Sequence, residues 1–591
     1  MSRPITELER KQIRQAEELL FSGPRKEGFA QDLFFGRFRS GSILPYPRQT
    51  AEEQQRGDEA VAAVREFAQR HINPDRIDRE ADIPPDVIRG LGELGVLGMT
   101  VSPEHGGRGM SQFNYCRVME IIGARCAATA VFVNAHHSIG LRALELFGTE
   151  EQKARWMRPL AAGEELAAFA LTEPEAGSDA ANVQTRAEPT DDGRGYVLHG
   201  EKRYITNGGI AGVLTVMARV PAPREHSGET TSDGRVTAFL VTPDMPGFEV
   251  VEARMEKCGI RGTATARLAF QDMFVPKENV LGPVGKGLRV ALTVLDFGRT
   301  TFGASCTGAA KSCLDRMIER ANTRKQFGKT LGEFELVKHK IAQAAADTLA
   351  MECATYHTAA LIDSGAEDYM LETAMLKVFA SEALWRIVND TLQIWGGAGY
   401  FSDQPFERMM RDARINLIGE GANDVLRCFV AMVGLRHVSQ QLLGVLKRPW
   451  QASRLVRWKP HVPLPPRTSE NLAWISRLEP AAHALARQVQ QFGRACRTVL
   501  MRHREGILNR QYVQARIGDT ATDLYLSSCV FSRLYSIVEA PPEQEKLMRR
   551  ELETGLLFLR SAWRRNRARL SELRRNDDDL QNAVADGWLN E

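Results

Sequence analysis

Apolar residues recur every three or four positions over two long stretches of the chain, which predicts amphipathic helices in both. Glycine- and proline-bearing breaks at 83–85 and 103–109 separate the early helices. The predicted early segments are 57–71, 86–97 and 151–162, and the later ones are 287–323, 333–363, 366–396 and 420–443.

The pattern between about 167 and 285 is different. Short β-prone runs alternate there with turns such as Asp191-Asp192-Gly193 and Pro246-Gly247, which predicts a small antiparallel β domain. The runs are 196–199, 213–220, 236–242 and 266–270.

The order of these regions predicts a mostly α chain with a central β domain. The helices after residue 286 suit a four-helix bundle, and a basic stretch rich in proline and tryptophan precedes a charged helical appendage. The predicted divisions are an N-terminal lead (1–50), a helical domain (51–166), the β domain (167–285), the bundle (286–440), the basic linker (441–469) and the helical extension (470–591).

Composition excludes several classes of protein. A chain of 591 residues is too long for one core. A net charge of +3 argues against general nucleic-acid binding. The nine cysteines are dispersed without a CxxC pair, which suits a reducing compartment. The sequence contains no run of about 18 apolar residues, so we expect no segment to span a bilayer. The early acidic residues Glu7, Glu9, Glu17 and Glu18 do not suit a secretory or transit signal, so we expect a cytoplasmic or already processed protein.

Two segments of the β domain could hold a ligand. Residues 171–179 (Leu-Thr-Glu-Pro-Glu-Ala-Gly-Ser-Asp) are typical of a tight turn. Clustered N–H groups there, with the hydroxyls of Thr172 and Ser178, could also hold a ring edge and a phosphate. Residues 204–209 (Tyr-Ile-Thr-Asn-Gly-Gly) predict a strand that ends in a turn. Each segment alone is weak evidence for a site.

Further motifs follow in a fixed order. They are residues 324–329 (Arg-Lys-Gln-Phe-Gly-Lys), 393–400 (Gln-Ile-Trp-Gly-Gly-Ala-Gly-Tyr), 411–414 (Arg-Asp-Ala-Arg) and 420–427 (Glu-Gly-Ala-Asn-Asp-Val-Leu-Arg). Together with the two β-domain segments, this series closely resembles the acyl-CoA dehydrogenase family. Residues 32–36 and 44–47, and the helical appendage after 470, resemble the very-long-chain type of that family, which has a C-terminal helical extension.

The resemblance implies a reaction. It is the FAD-dependent α,β-desaturation of a long-chain fatty acyl-CoA to trans-2-enoyl-CoA in β-oxidation. Glu420 is the implied base for the α-proton, and the flavin is the implied acceptor of the β-hydride. A carboxylate in a water-excluded pocket has a raised pKa, which suits a base acting on a carbon acid. The alternative role of Glu420 is an N-cap partner at the start of helix 420–443. By resemblance, the thioester oxygen is held by the N–H of the base and a ribityl hydroxyl of FAD.

The resemblance also implies the binding residues, with no metal ligand among them. FAD is bound across two subunits, so an obligate homodimer is expected. Gly298 stands where some relatives carry their base, which leaves Glu420 without a rival there. The implied cofactor residues are Phe169, Leu171, Thr172, Gly177, Ser178, Tyr204, Thr206, Arg324, Phe327, Gln393, Gly396, Gly397, Ala422 and Asp424, and the implied substrate residues are Ser178, Asp296, Arg299, Gly419 and Gly421.

Three positions depart from the family pattern. Tyr204 replaces a usual tryptophan, and Ala422 replaces a usual threonine. Gly419 stands where the family generally has Tyr or Phe, which should widen the pocket beside the thioester. These departures bear on substrate choice and rate more than on the type of reaction.

The adjacent His136 and His137 invite a metal-binding or hydrolase interpretation. Neighbouring residues point apart on a helix, and neither Asp nor Glu accompanies the pair at hydrogen-bonding spacing. Packing is the favoured interpretation.

Two alternative functions also fit the sequence. A flavin oxidase that uses oxygen would keep the same scaffold, and so would a non-catalytic assembly protein. By resemblance, the electron acceptor is an electron-transfer flavoprotein.

The stretch from Gln441 to Thr468 contains no acidic residue and interleaves Lys and Arg with Trp450 and Trp458. It predicts a peripheral contact with an anionic membrane, on the inner face in a bacterium or in the matrix of a mitochondrion. A solvated linker between two helical domains is the alternative.

Overall fold

The structure is a computed structural model that describes residues 28–223, 230–447, 459–469, 471–540 and 545–590. Its order of regions confirms the predicted fold class: helices, a central sheet, a helical bundle and a helical extension.

Within the described residues, eight α-helices precede the sheet. Capping boxes at Thr50 and Thr149 begin two of them, where each threonine hydroxyl accepts the N–H of the third helical residue. A π-helical segment, Asn134–Leu141, lies between α6 and α7. The helices are α1 (Phe29–Phe35), α2 (Ala51–His71), α3 (Pro74–Glu80), α4 (Pro85–Glu93), α5 (Gln112–Arg125), α6 (Ala127–Val133), α7 (Arg142–Phe147) and α8 (Glu150–Ala162).

The central sheet contains eight strands. They are β1 (Ala167–Ala170), β2 (Arg186–Pro189), β3 (Gly195–Ile205), β4 (Val213–Pro223), β5 (Thr230–Val241), β6 (Phe248–Glu252), β7 (Ala266–Pro276) and β8 (Val280–Leu281). The strand order is β6-β7-β3-β2-β4-β5-β8, and β1 pairs with β4.

The prediction of a purely antiparallel domain needs correction at two pairs. Strand β1 runs parallel to β4, with Ala167 opposite Val213, and β2 also pairs with β4 in parallel. A parallel pair requires a long connection between its strands. The segment between β1 and β4, which carries both predicted ligand-binding turns, provides that connection.

Four long helices form the bundle: α9 (Gly287–Thr323), α10 (Glu335–Asp363), α11 (Met370–Trp395) and α14 (Asn423–Lys447). A short hairpin of β9 (Lys325–Gln326) and β10 (Lys329–Thr330) separates α9 from α10. Two small helices, α12 (Gly397–Tyr400) and α13 (Phe406–Arg414), lie between α11 and α14. The helix predicted from residue 420 begins three residues later, so Glu420 lies in a loop and is not an N-cap residue.

The extension contains α15 (Leu472–His503), α16 (Gln511–Glu539), α17 (Glu545–Glu572) and α18 (Asp578–Leu589). Helix α1 packs on it, with the Phe34 and Phe492 rings 5.1 Å apart. Gly36 and Gly493 bring the two backbones together, because a Cβ built on Gly493 would lie 2.4 Å from the Gly36 Cα. The lead and the extension therefore form one packed unit against the bundle.

None of the helices within the described ranges combines the length and the hydropathy needed to cross a bilayer.

Candidate active site

Glu420 lies in the loop before α14, with its backbone in the left-handed region. Its φ is +56° and that of Gly421 is +95°. Left-handed backbone is uncommon for a residue with a side chain and persists where surrounding contacts hold it. Here Arg299 Nε donates to the Glu420 carbonyl at 3.4 Å, and Lys377 Nζ donates to the Gly421 carbonyl at 2.7 Å. Two buried cations therefore fix the loop.

The two oxygens of the Glu420 carboxylate have different surroundings. Oε1 accepts a hydrogen bond of 2.7 Å from Asn134 Nδ2. Oε2 is shielded from solvent and has no hydrogen-bond partner in the described part of the chain. Burial raises the pKa of the Glu420 carboxyl above its ordinary value, while Lys377, Arg299 and Asn134 oppose that rise. The carboxylate thus keeps one oxygen anchored and one available as a proton acceptor.

A chain of buried polar side chains orients Asn134. The Thr301 hydroxyl donates to Asn134 Oδ1, so the amide must present its NH₂ group to Glu420. The hydroxyls of Ser138 and Thr301 are 2.9 Å apart, and those of Tyr115 and Ser138 are 3.2 Å apart. The motif series did not identify Asn134. The signal that could have found it is a polar residue in an apolar segment, two residues before the histidine pair.

Asp296 and Arg299, the predicted substrate residues of α9, form a buried pair beneath the loop. Arg299 Nη1 donates to Asp296 Oδ1 at 3.0 Å, and the Thr373 hydroxyl donates to the same oxygen at 2.8 Å. Burial raises the pKa of Asp296 to about 6, against the lowering effect of Arg299. In this arrangement Asp296 orients Arg299, and Arg299 holds the Glu420 carbonyl.

Gly298 lies directly beside the candidate base. A Cβ built there would come within 3.4 Å of Glu420 Oε2 and 3.0 Å of Ile139. A side chain at this position would therefore crowd Ile139 and press against Oε2, the oxygen that has no partner among the described residues. Gly419, which directly precedes the base, has only the Ile415 carbonyl within 4 Å of a built Cβ.

The 171–179 segment is pinned to β3 through Lys202. Its ammonium donates to Glu173 at 2.6 Å and to the Leu171 carbonyl at 3.0 Å. The Thr172 carbonyl accepts the Arg203 N–H at 2.9 Å. These contacts hold Leu171 and Thr172 half-buried, and Gly177 and Ser178 beyond them are exposed.

The turn after β3 brings the second β-domain motif towards the base. Asn207 Nδ2 donates to the Phe132 carbonyl at 3.1 Å, two residues before Asn134. Tyr204 is 57% exposed with a φ of +62°, although an aromatic side chain rarely adopts left-handed backbone. Thr206 and Phe169 are half-buried.

These residues fit a flavin. The β-domain segments present an exposed aromatic face, hydroxyls and free backbone at Gly177, where a built Cβ would meet nothing within 4 Å. The base loop adds an orphaned buried carboxylate oxygen, Glu420 Oε2. A planar, polar-edged ring could contact both sets of groups.

The remaining predicted cofactor residues gather elsewhere, where α9 and α11 end. Arg320 lies over the Trp395 ring at 5.0 Å, and Trp395 Nε1 donates to the Arg316 carbonyl at 3.2 Å. This end carries the exposed Arg324, Phe327, Gln393, Gly396 and Gly397. Phe327 is 93% exposed, which is unusual for a phenyl ring.

The two groups of residues lie far apart in one chain. Both border helix α9, with Gly298 beside Glu420 and Arg324 just beyond the helix end. At a rise of 1.5 Å per residue, the intervening helix is roughly 37 Å long. The second group therefore lies roughly one length of this helix away from the base.

The two predicted cofactor residues after the base differ in position. Asp424 is in the first turn of α14, where its side chain is 99% exposed and lies 3.5 Å from Arg427. A carboxylate at this position interacts favourably with the partial positive charge of the helix N-terminus. Ala422 is half-buried, and its carbonyl accepts the N–H of Leu426.

Both histidines of the adjacent pair are buried packing residues. His136 Nδ1 accepts the Ala167 N–H at 2.9 Å, and its Nε2 is 3.1 Å from the Leu160 carbonyl. His137 Nε2 accepts the Thr100 N–H at 3.2 Å, and its ring lies 4.6 Å from that of Tyr115. Burial lowers the pKa of His136 to about 4, which keeps the ring neutral. No metal-binding group of three His, Cys, Asp or Glu residues occurs among the described residues.

Comparison with family models gives four successive matches. Residues 52–164, 168–273 and 285–435 match the acyl-CoA dehydrogenase N-terminal, middle and C-terminal domains. Residues 476–585 match the ACAD9/ACADV C-terminal domain.

Individual relatives match most of the chain. The human very long-chain specific acyl-CoA dehydrogenase, a mitochondrial protein, is 34% identical over 560 residues, covering 93% of this chain and 84% of its own. A probable acyl-CoA dehydrogenase of Mycobacterium tuberculosis is 38% identical over 427 residues, covering 70% and 64%. The solved FAD complex of a Bacillus anthracis acyl-CoA dehydrogenase is 27% identical, with a TM-score of 0.78 over 95% of this chain and 94% of that one. The Megasphaera elsdenii butyryl-CoA dehydrogenase is 33% identical, with a TM-score of 0.59 over 64% and 97%.

Proposed function

This chain belongs to the acyl-CoA dehydrogenase family, and we propose that Glu420 is the base with which it desaturates long-chain fatty acyl-CoA. It is an FAD-dependent oxidoreductase of fatty acid oxidation. One observation supports the role of Glu420 above all: its buried oxygen Oε2, which lies beside Gly298, has no hydrogen-bond partner among the described residues.

The proton transfer follows from the surroundings of Glu420. An α-proton is weakly acidic, so the base must be ionised yet poorly solvated. Burial supplies the poor solvation and raises the pKa of Glu420, while Lys377, Arg299 and Asn134 favour the ionised form and oppose that rise. Oε2 takes the proton, and Oε1 stays bonded to Asn134. Bound FAD supplies the acceptor for the β-hydride.

The thioester oxygen needs a hydrogen-bond donor as negative charge develops on it. The N–H of Glu420 has no acceptor among the described residues, whereas the carbonyls of Glu420 and Gly421 are held by Arg299 and Lys377. The left-handed loop thus frees one donor next to the base. Losing a donor of this kind typically costs about 2.7–4 kcal/mol of barrier.

We propose that FAD is held by two subunits of a homodimer. The β-domain residues around Tyr204 and Thr206 would hold the ring end beside the base. Arg324, Phe327 and the Gln393–Gly397 turn of the partner subunit would hold the pyrophosphate and adenosine, because a guanidinium fork suits a pyrophosphate. The separation of the two groups along α9, and the exposure of Phe327, support this proposal.

An electron-transfer flavoprotein is the proposed electron acceptor, and a reducing compartment such as the mitochondrial matrix, or the cytoplasm of a bacterium, is the proposed location. All nine cysteines are free, which suits that compartment. Production of hydrogen peroxide at the rate of turnover would instead indicate the oxidase. A purified protein without flavin absorbance would indicate the assembly role.

We also propose that the linker contacts an anionic membrane. Its central residues 448–458, with Trp450, Arg454, Arg457 and Trp458, lie outside the described residues. Co-sedimentation with anionic vesicles tests the proposal. The comparison variant changes Arg454, Arg457 and Lys459 to Glu and both tryptophans to Ser, and equal sedimentation of parent and variant at moderate salt would rule it out.

The test of the base is Glu420→Gln. Glutamine keeps the shape of the side chain and the backbone N–H but cannot accept the proton, so FAD content should be unchanged. Anaerobic flavin reduction by palmitoyl-CoA should slow by about 10²–10⁴-fold or more. The control is Glu164→Gln, which changes an exposed carboxylate beyond α8. Flavin reduction by Glu420→Gln at close to the parent's rate would exclude Glu420 as the base.

A further inference from the structure

A cavity of about 600 Å³ lies in the extension between α15 and the end of α17. Its walls carry five arginines and its floor is apolar. We call it the arginine groove. The arginines are Arg494, Arg502, Arg567, Arg574 and Arg575, and the floor residues are Ala495, Val499, Leu570 and Leu573.

Helical spacing brings these side chains together. Arg494, Thr498 and Arg502 follow one another at four-residue intervals on α15, so they lie on one face. Arg567 and Ser571 have the same spacing on α17, and the arginines at 574 and 575 follow directly after that helix. Two basic faces with a hydroxyl on each thus border a single groove.

The charge of the groove is not compensated. No Asp or Glu of the described chain lines it, and its five guanidinium groups form no ion pair with a described residue. Other arginines of the extension do have acidic partners. Arg516 lies 2.6 Å from Asp578, Arg565 lies 2.6 Å from Asp523, and Arg533 lies 2.6 Å from Glu551.

His503 lines the groove, and the positive charges around it affect the pKa of its imidazole. Burial lowers the pKa of its imidazole, and the charges of Arg502 and Arg510 lower it further. The groove therefore resists any added positive charge and favours an anion.

We propose that the arginine groove binds a phosphate-bearing polyanion. The planar guanidinium fork matches two phosphate oxygens at once, and several forks around one cavity suit a ligand with more than one phosphate charge. The hydroxyls of Thr498 and Ser571 provide neutral donors, and the apolar floor can contact a carbon portion of the ligand. The volume is typical of small-molecule sites, whereas an acidic helix with a diameter of about 10–12 Å would fill more space.

The groove does not share residues with the proposed catalytic machinery. None of the residues that line it belongs to the candidate active site or to the second cofactor group.

The test uses the full-length holoenzyme and two variants of equal charge. The groove variant is Arg494→Gln with Arg574→Gln. The control is Arg550→Gln with Arg560→Gln, which changes two exposed arginines of α17 that do not line the groove. The probes are inorganic pyrophosphate in calorimetry, and phosphatidylcholine vesicles with and without phosphatidylglycerol in co-sedimentation. Flavin reduction by palmitoyl-CoA and the thermal midpoint verify the fold of both variants.

We expect pyrophosphate, the phosphatidylglycerol vesicles or both to bind the parent and the control alike, and to bind the groove variant at least roughly tenfold more weakly. Pyrophosphate binding identifies a soluble ligand, and a difference on vesicles alone identifies a lipid headgroup. Binding should also weaken as salt is raised.

If neither probe distinguishes the groove variant from the control, the proposal is wrong. Preferential binding of a polyglutamate peptide over both phosphate probes would also overturn it. A second variant, Arg494→Lys with Arg574→Lys, keeps the charge and loses the fork, so it should bind with intermediate affinity. That variant keeps the test decisive if the Gln variant unfolds.

Discussion

Asn134→Leu should move the acidic limb of the pH profile to higher pH. Leucine has the same number of side-chain heavy atoms but no donor for Glu420 Oε1, which in the parent protein receives a 2.7 Å hydrogen bond from Asn134. That bond favours the ionised base, so its loss raises the pKa of Glu420 further. The Thr301 hydroxyl has alternative acceptors in the Phe297 and Gly298 carbonyls, at 3.3 and 3.2 Å, so the substitution leaves no other donor stranded.

The expected shift can be estimated from the single bond. A hydrogen bond to a charged acceptor contributes about 1.5–3 kcal/mol, and one pKa unit corresponds to about 1.4 kcal/mol. The lower end of that range corresponds to about a tenfold change in the ionisation equilibrium of Glu420. At a pH below both pKa values, flavin reduction should slow about tenfold, whereas at high pH the rates of parent and variant should converge.

The assay is anaerobic flavin reduction by palmitoyl-CoA across a pH series. Val133→Ala is the control, since it removes buried atoms next to Asn134 without removing the hydrogen bond. Thr301→Val should give a smaller shift, because the Asn134 amide loses the donor that fixes its orientation. An unchanged acidic limb in Asn134→Leu would refute the assigned role of Asn134, and an equal slowing at all pH values would indicate misplacement of the base.

Three further outcomes are expected. Arg324→Ala should lower the FAD content per chain while Lys325→Ala does not, and equal flavin absorbance in both would contradict the shared cofactor site. Lys377→Met leaves the Gly421 carbonyl without its donor, so urea unfolding should show a free energy of unfolding lower by about 1–3 kcal/mol. The acidic limb of the pH profile should also move to higher pH, because Lys377 lowers the pKa of Glu420. Gly493→Ala forces a methyl group against the backbone of the lead and should lower the free energy of unfolding by about 1–3 kcal/mol. The control Gly444→Ala, in open space on α14, should be neutral or stabilising. A thermal midpoint of Gly493→Ala at or above that of the parent would disprove the close packing.

The sequence predicted the fold class because the helical period is sustained over long segments. Helix α9 is an example: its predicted bounds, 287–323, agree with the structure. The start of α14 was predicted three residues too early, because the apolar pattern does not register the left-handed backbone at Glu420 and Gly421. The parallel pairing of β1 was missed for a related reason: strand direction depends on where the chain returns, which local alternation does not encode.

The candidate site was predicted only as far as the motifs reach. Glu420 stands in a contiguous motif, whereas Asn134 lies 286 residues away from it along the chain. Lys377 resembles an ordinary polar position of a helix, and only the folded structure shows its ammonium buried against the loop carbonyl. Contacts between distant segments have no signature in a single sequence.

The contact of Gly36 with Gly493 makes the lead and the extension depend on each other, and this dependence should be visible in evolution. A gene that lost the extension would leave Phe34 and its neighbours on α1 without the surface that buries them. A gene that lost the lead would uncover the matching face of α15. Neither piece can be discarded alone without an exposed apolar surface that promotes aggregation. Lineages of this fold should therefore keep the two segments together or lack both, and a shortened enzyme should be trimmed at both ends at once.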